Sequence, residues 1–296
     1  MLLKRGHKLK IAIGTAQAGS EYGVANTSGI LVENEIKKIL EKAENEGVDT
    51  IDTASNYGNS EAILGNLNIH NFNVITKLPA VPKNCLNIRK WVAGVIEKSL
   101  LSLKVEKIYG ILFHEPNQLL SEYGDELYRV LEEYKNKNII SKIGISIYSP
   151  TQLDLIIHKF PIDIVQAPLN LVDRRILNSG WLDKLSARNI EIHIRSVFLQ
   201  GLLLIPYNQI PNEFLMWDKV WIRWNNWLSS NNVSAAHACI SFANSFEQIN
   251  KIIVGVDCLN HFEEIVTNVK KKPLTDIINI ELEDELLINP SNWRLK

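Results

Sequence analysis

The sequence predicts one α/β domain, a closed (β/α)8 TIM barrel covering residues 1–296. Three observations predict it. Eight short runs are apolar on both faces, the pattern of parallel strands covered by helices. Most are separated by one amphipathic stretch, the crossover that parallel strands need. No Pro/Gly/Ser linker or charge block divides the chain, and 46% hydrophobic residues suffice for a sizeable core. An open doubly wound sheet is the main rival.

The first strand is read at residues 10–14, with a helix at 33–46 whose apolar positions fall at i, i+3 and i+4. The second is Thr50–Asp52, and Ser60 reads as the capping signal for a helix at 61–67. Strand three (73–77) precedes a helix at Ile88–Leu103, and strand four (108–114) one at 122–137. After strand five (142–146), Ser149-Pro150 marks the start of a helix at 151–159. Strands six and seven fall at 162–166 and 190–197. Strand eight (252–256) leads to a helix at 261–270, with Asn260 as its N-cap and Lys270-Lys-Lys272 as its basic end.

Two stretches are irregular. Segment 199–250 holds Trp217, Trp221, Trp224 and Trp227 at spacings of four, three and three, which fits one helix burying an aromatic face. The other reading places part of the segment over the mouth of the barrel. The tail, 273–296, is polar and acidic, with a solvated face at 281–285; it either packs on the barrel or covers its mouth.

Composition excludes several functions. A net charge of −1 gives no electrostatic case for nucleic acid or an acidic membrane surface. No apolar run nears the ~20 residues of a membrane span, and the charged N-terminus lacks the apolar core of a secretory signal. Cys85, Cys239 and Cys258 are odd in number and irregular in spacing, which suggests a reducing, cytoplasmic setting. The Asn26-Thr-Ser and Asn232-Val-Ser triplets carry no meaning there. His7, His70, His158, His193, His237 and His261 show no ligand spacing, so no metal site is expected. Gly144-Ile-Ser-Ile-Tyr148 lacks the last glycine of a serine-hydrolase elbow.

Chemistry gathers where strands end. In a barrel the C-terminal strand ends converge on one mouth. Asp52, Lys77 and His114 close the second, third and fourth strands, and Tyr57 follows the second by five residues. A tyrosine is a poor acid at neutral pH unless a positive charge stands beside it; a lysine supplies that charge and a carboxylate fixes the lysine. Singly, each has a plainer reading: a loop tyrosine, a structural ion pair, a satisfied core histidine. Together they point to an enzyme that protonates a reacting oxygen.

These residues lie in segments that resemble the aldo-keto reductase family: GVDTIDTASNYG at 47–58, ITKL at 75–78, LFH at 112–114, KIGIS at 142–146, VQAPLN at 165–170, RSVFLQGLL at 195–203 and IVG at 253–255. The likeness runs over about residues 9–270, one motif per strand end in family order. It implies a (β/α)8 barrel that reduces an aldehyde or ketone with NADP(H) or NAD(H). Carried over, Tyr57 is the proton donor, Lys77 makes it more acidic, Asp52 fixes Lys77, and His114 orients the substrate carbonyl.

The resemblance also implies a cofactor extended across the mouth, without a Rossmann glycine signature. Gly14 and Thr15 would approach the nicotinamide, and Ser146 and Gln166 its carboxamide; Ile147 stands where the family commonly has asparagine. Arg195 stands where an aromatic ring usually lies against the nicotinamide; a guanidinium can stack, or pair with a barrel carboxylate. Ser196, Phe198, Leu199 and Gly201 would line the pyrophosphate crossing. Gly255, Val256, Asp257 and His261 would surround the adenosine; NADPH-preferring members typically place a lysine and an arginine at positions 255 and 261. Asp257 would repel a 2′-phosphate and accept from a ribose diol, so weak 2′-phosphate selectivity is expected. Read alone, Asp257 is a loop residue turned to solvent.

Two further readings stay open. One is a catalytically weak, nucleotide-binding barrel that senses redox state or regulates a partner, motivated by Ile147, Gly255 and His261. The other is a cofactor-free lyase or isomerase. The expected partner is a small carbonyl compound met by the loops after strands one, four and seven and by the tail, with aromatics such as Tyr22, Trp181 and Trp217 suited to many such compounds. The chain is expected to be a monomer or weak homo-oligomer.

Overall fold

Eight parallel strands close into a barrel in chain order. They are β1 (Ile11–Gly14), β2 (Thr50–Asp52), β3 (Asn73–Leu78), β4 (Ile108–Phe113), β5 (Ile140–Ser146), β6 (Ile164–Pro168), β7 (Glu191–Arg195) and β8 (Lys251–Gly255). The computed structural model describes residues 9–26 and 28–293. The N-terminal segment with His7, Thr27 of the first Asn-x-Ser triplet and the last three tail residues lie outside them. β1 pairs with β8 from Ile11↔Ile252 to Gly14↔Gly255, which closes the sheet and removes the open-sheet alternative.

The helices that wrap it are α1 (Glu33–Asn45), α2 (Ser60–Asn66), α3 (Ile88–Leu103), α4 (Gly124–Asn136), α5 (Leu153–Lys159), α6 (Trp181–Ala187), α7 (Asp218–Asn231), α8 (Ala235–Asn244) and α9 (Leu259–Lys270). Each turns an apolar stripe to the strands; in α1 it is Ile36, Ile39, Leu40 and Ala43. Side chains alternate along a strand, so Ile75 and Lys77 share the interior face of β3. Ile75, Leu112 and Ile164 form a small dry cluster inside the barrel. Residues two positions beyond them, Lys77, His114 and Gln166, therefore face the interior at the mouth.

Two capping expectations are corrected. Ser60 is the first residue of α2, and its buried hydroxyl lies 2.8 Å from Thr15 Oγ1 and 3.0 Å from Thr53 Oγ1 rather than on the helix end. Asn260 lies inside α9; Cys258 precedes that helix, and the Leu259 N–H donates to Glu35 Oε1 of α1 at 2.8 Å. Ser149 does cap: it accepts from the Thr151 N–H, and the Gln152 side chain accepts from the Ser149 N–H.

Trp221 and Trp224 are buried on α7, donating to the carbonyls of Phe214 and Leu203 at 2.8 and 3.0 Å; Trp227 stacks on Trp224. Trp217 lies just before the helix and donates to Asp284 of the tail at 2.9 Å. The described tail packs alongside the barrel, Leu282 N–H bonding the Val172 carbonyl at 3.0 Å. Among the described residues, no helix is long and apolar enough to cross a membrane, and no group of His, Cys, Asp and Glu could hold a metal ion.

Candidate active site

Asp52 ends β2, Lys77 lies one residue before the end of β3, and His114 follows β4, its N–H tied to the Leu78 carbonyl at 2.9 Å. The barrel brings all three to one mouth. Lys77 is fully buried and donates to Asp52 Oδ2 at 2.7 Å and to the Thr53 carbonyl at 2.8 Å. Burial opposes its charge, but Asp52 outweighs burial and holds Lys77 above the ordinary lysine value. The other Asp52 oxygen accepts from Gln166 Nε2 at 2.7 Å, and Gln166 Oε1 accepts from Ser146 Oγ at 3.2 Å.

Tyr57 hangs over this pair on the β2–α2 loop. The Lys77 Nζ lies 5.1 Å from its ring centroid, and the His114 ring meets it edge-on at 6.2 Å. Among the described residues nothing hydrogen-bonds its hydroxyl. The loop itself is clamped between glycines. A Cβ on Gly19 would lie 1.7 Å from the Tyr57 carbonyl oxygen, and Gly58, at φ +51°, touches Gly19 in return. Burial, then the charges of Lys77 and Arg195, push His114 down to about 4, so its ring is neutral near pH 7.

A cleft of about 490 Å³ runs across the mouth. Of the residues expected from the sequence, Gly14, Thr15, Asp52, Tyr57, Gln166, Arg195, Ser196, Phe198, Gly201, Gly255, Asp257 and His261 line it. Lys77 and Ser146 sit beneath it, His114 beside Tyr57, and the side chains of Leu199 and Val256 are turned into the core.

Three expectations need correction. Arg195 pairs with no carboxylate among the described residues: it donates to the Ile147 carbonyl at 3.0 Å and to Ser196 Oγ at 3.2 Å, and stacks 4.7 Å above the Tyr148 ring. Asp257 is not turned to solvent. Its side chain is 19% exposed, His261 Nδ1 lies 3.8 Å away, and Oδ1 is buried with no partner among the described residues. Burial raises its carboxyl, against His261 and Gln17. The tryptophans of segment 199–250 stay off the cleft, but Leu204, Ser234, Ala235 and Ala236 reach it.

Tyr22, one of the aromatics expected near the substrate, lines the cleft, and so do Gln17, Gln200 and Glu264, which were not anticipated. Ser234 had a local signal: its hydroxyl caps α8 by accepting from the His237 N–H at 3.2 Å. Gln17 packs over Gly255: a Cβ there would lie 2.5 Å from its Nε2 and would push that side chain aside. The loop at 22–26 folds across the cleft to 199–201, joined by the Val24 N–H to the Gln200 carbonyl at 2.9 Å. Leu199, Gln200 and Gly201 are all left-handed, and a Cβ on Gly201 would lie 2.6 Å from the Ala25 Cβ.

The model of the Aldo/keto reductase family matches residues 10–281. No curated protein matches the chain. Among solved structures, an aldo-keto reductase from Bacillus halodurans in its holo form superposes with a TM-score of 0.73 at 16% identity, over 91% of this chain and 92% of that one. A glycerol dehydrogenase from Gluconobacter oxydans superposes with a TM-score of 0.67 at 22% identity, over 90% and 88%.

Proposed function

The chain belongs to the aldo-keto reductase family, oxidoreductases that use nicotinamide cofactors, and from that premise we propose that it reduces an aldehyde or ketone to an alcohol, with Tyr57 giving the proton. The observation that carries this is the Tyr57 hydroxyl, without a hydrogen-bond partner among the described residues, beside an ammonium that Asp52 holds at 2.7 Å. A reduced nicotinamide held in the cleft would supply the hydride that the carbonyl carbon accepts. Negative charge then builds on the carbonyl oxygen. Tyr57 donates its proton there, and the Lys77 ammonium stabilises the phenolate left behind. Asp52 keeps that ammonium in place, and Gln166 keeps Asp52 in place. The neutral His114 ring donates a hydrogen bond to the same oxygen and orients it.

The cleft suits a nicotinamide dinucleotide. Gly14 and Thr15 serve the nicotinamide end, with Ser146 and Gln166 near its carboxamide. Ser196, Phe198 and Gly201 follow the pyrophosphate, with the backbone turn at Leu199. Gly255, Val256, Asp257 and His261 form the adenosine end. There Asp257 and Glu264 bring two carboxylates to the lining, and Arg195 at the other end is the sole Lys or Arg among the described lining residues. Acceptors fit a ribose diol better than a 2′-phosphate, so NADH should bind more tightly than NADPH. Titration of both cofactors tests this, and tighter NADPH binding rejects it.

Turnover is tested by following cofactor oxidation with a panel of aldehydes. Tyr57→Phe should lower kcat/KM by about 10²–10⁴-fold while cofactor binding persists. Cofactor binding by the wild type with no turnover across the panel would instead support the sensor reading.

A further inference from the structure

We propose that Arg195 makes the substrate pocket an anion-recognition site, so that the preferred carbonyl compound carries a carboxylate near the reducible carbon, as in a 2-oxo acid or a short aldehyde acid. The proposal rests on the reductase reading and names its substrate class.

Arg195 ends β7 and lines the same cleft as Tyr57. Its contacts fix the guanidinium without neutralising it. Ile147 offers a carbonyl, Ser196 a hydroxyl and Tyr148 a ring face, and none carries a negative charge. Asp52 is already engaged: Oδ2 holds Lys77 and Oδ1 holds Gln166. The other lining carboxylates, Asp257 and Glu264, make no ion pair with Arg195, so among the described residues its charge has no carboxylate partner.

A guanidinium has five N–H donors in a planar fork that matches a carboxylate. Two of the five have protein acceptors here. A half-buried cation without a counter-charge is poorly solvated, and a ligand anion relieves that. Tyr22 adds a donor. Its phenol lines the cleft with Arg195 and Tyr57 and is exposed enough to meet a ligand there. Lys77 cannot take this role, because Asp52 and the Thr53 carbonyl occupy it beneath the floor. In the reaction, hydride adds to the carbonyl carbon, the Tyr57 proton goes to its oxygen, the nicotinamide is oxidised, and the carboxylate held by Arg195 leaves unchanged.

Matched substrates test this: butanal against succinic semialdehyde, and propanal against glyoxylate or pyruvate. The acids should have the higher kcat/KM, by about 10- to 100-fold, the range of a charge-assisted hydrogen bond. Arg195→Gln should abolish that ratio and Arg195→Lys should keep part of it. Calorimetry with acetate and succinate provides a readout free of turnover; binding to the wild type should be lost in Arg195→Gln, with thermal melts verifying that both variants fold. Inhibition by succinate should be competitive against the aldehyde. Equal kcat/KM for acid and neutral substrates, or an unchanged ratio in Arg195→Gln, overturns the proposal. Inhibition competitive only against the cofactor does so too, since Arg195 would then serve the cofactor's phosphates. If no aldehyde is reduced, the reductase reading fails, while carboxylate binding lost in Arg195→Gln still supports an anion site.

Discussion

The two rims of the barrel carry the same four kinds of side chain, a carboxylate, a lysine, a tyrosine and a histidine, in different states. At the mouth stand Asp52, Lys77, Tyr57 and His114. At the opposite rim stand Glu191, Lys142, Tyr109 and His193. There Glu191 accepts from Tyr109 Oη at 2.7 Å and from Lys142 at 2.5 Å, with His193 Nε2 at 3.3 Å. Lysine lies over tyrosine at both rims, 5.1 Å from the ring centroid above and 5.4 Å below. The difference is where the phenol points. Tyr109 donates a hydrogen bond to a carboxylate of the protein and keeps its proton, since burial with Glu191 pushes it far above the ordinary tyrosine value. Tyr57 faces a cleft, with no hydrogen-bond partner for its hydroxyl among the described residues. Residue types do not make a proton donor; an unoccupied hydroxyl beside a held cation does.

Removing each lysine tests this most severely. Lys77→Met leaves Asp52 buried without its counter-charge, and breaking a buried pair this way costs about 3–5 kcal/mol. Turnover should fall with it, because nothing then stabilises the phenolate. Lys142→Met should cost about 1 kcal/mol, since both partners there are partly exposed and Glu191 keeps Tyr109 and His193. Urea denaturation and steady-state kinetics read both. Equal losses in stability and turnover at the two rims would remove the distinction.

The clamp on the Tyr57 loop gives the next effect. A methyl on Gly19 would lie 1.7 Å from the Tyr57 carbonyl oxygen, so Gly19→Ala must push the loop aside. Displacing a reacting group by about 1 Å costs on the order of 10²-fold in rate. The variant should lose kcat/KM to about that extent and keep most of its folding stability. Wild-type turnover in Gly19→Ala would show that the loop's position is not what arms Tyr57.

Much of the mouth was legible because the period of a strand is rigid. Once β3 is placed, Lys77 must share a face with Ile75, and the same parity turns Gln166 inward from Ile164. What was not legible arrives from outside that period. Gln17, Gln200 and Glu264 reach the cleft from a short turn, a left-handed loop and a helix, where no alternation applies. The environment of Arg195 was hidden for a related reason: Tyr148 and the Ile147 carbonyl come from the loop after β5, two strands away. The caps misread at Ser60 and Asn260 failed because tertiary partners, Thr15 and Glu35, reset the local preference. The lower quartet passed unnoticed as a group, since Glu191 and His193 open a strand rather than close one.

Acid should separate the rims further. His114 is held down to about 4, so between roughly pH 6.5 and 4 an unfolded chain binds a proton there that the folded chain refuses. Stability therefore falls as pH drops through that window. At Glu191, burial raises the carboxyl but the bonds from His193, Lys142 and Tyr109 prevail and bring it to about 2. Its contribution persists above roughly pH 4.5 and is lost between there and about 2. His114→Gln should flatten the stability profile in the upper window and Glu191→Gln in the lower one, measured by urea melts at each pH. Identical windows for both variants would contradict the assigned environments.

The smallest effect is the most discriminating. Tyr109→Phe removes one of three bonds to Glu191 and leaves Lys142 and His193 on the carboxylate. No buried charge is orphaned, so the cost should be that of one hydrogen bond, about 0.5–1.5 kcal/mol. The barrel interior, plugged by Ile75, Leu112 and Ile164, stands between this hydroxyl and the mouth, so kcat/KM should stay within about two-fold, well short of one 1.36 kcal/mol step in barrier. Tyr57→Phe should do the reverse, sparing stability because its hydroxyl has no hydrogen-bond partner among the described residues to lose, and lowering kcat/KM by about 10²–10⁴-fold because the positioned acid is gone. A Tyr109→Phe enzyme as slow as Tyr57→Phe would mean that the two rims communicate through the plug, and that the free hydroxyl at the mouth is not the whole origin of the acid chemistry.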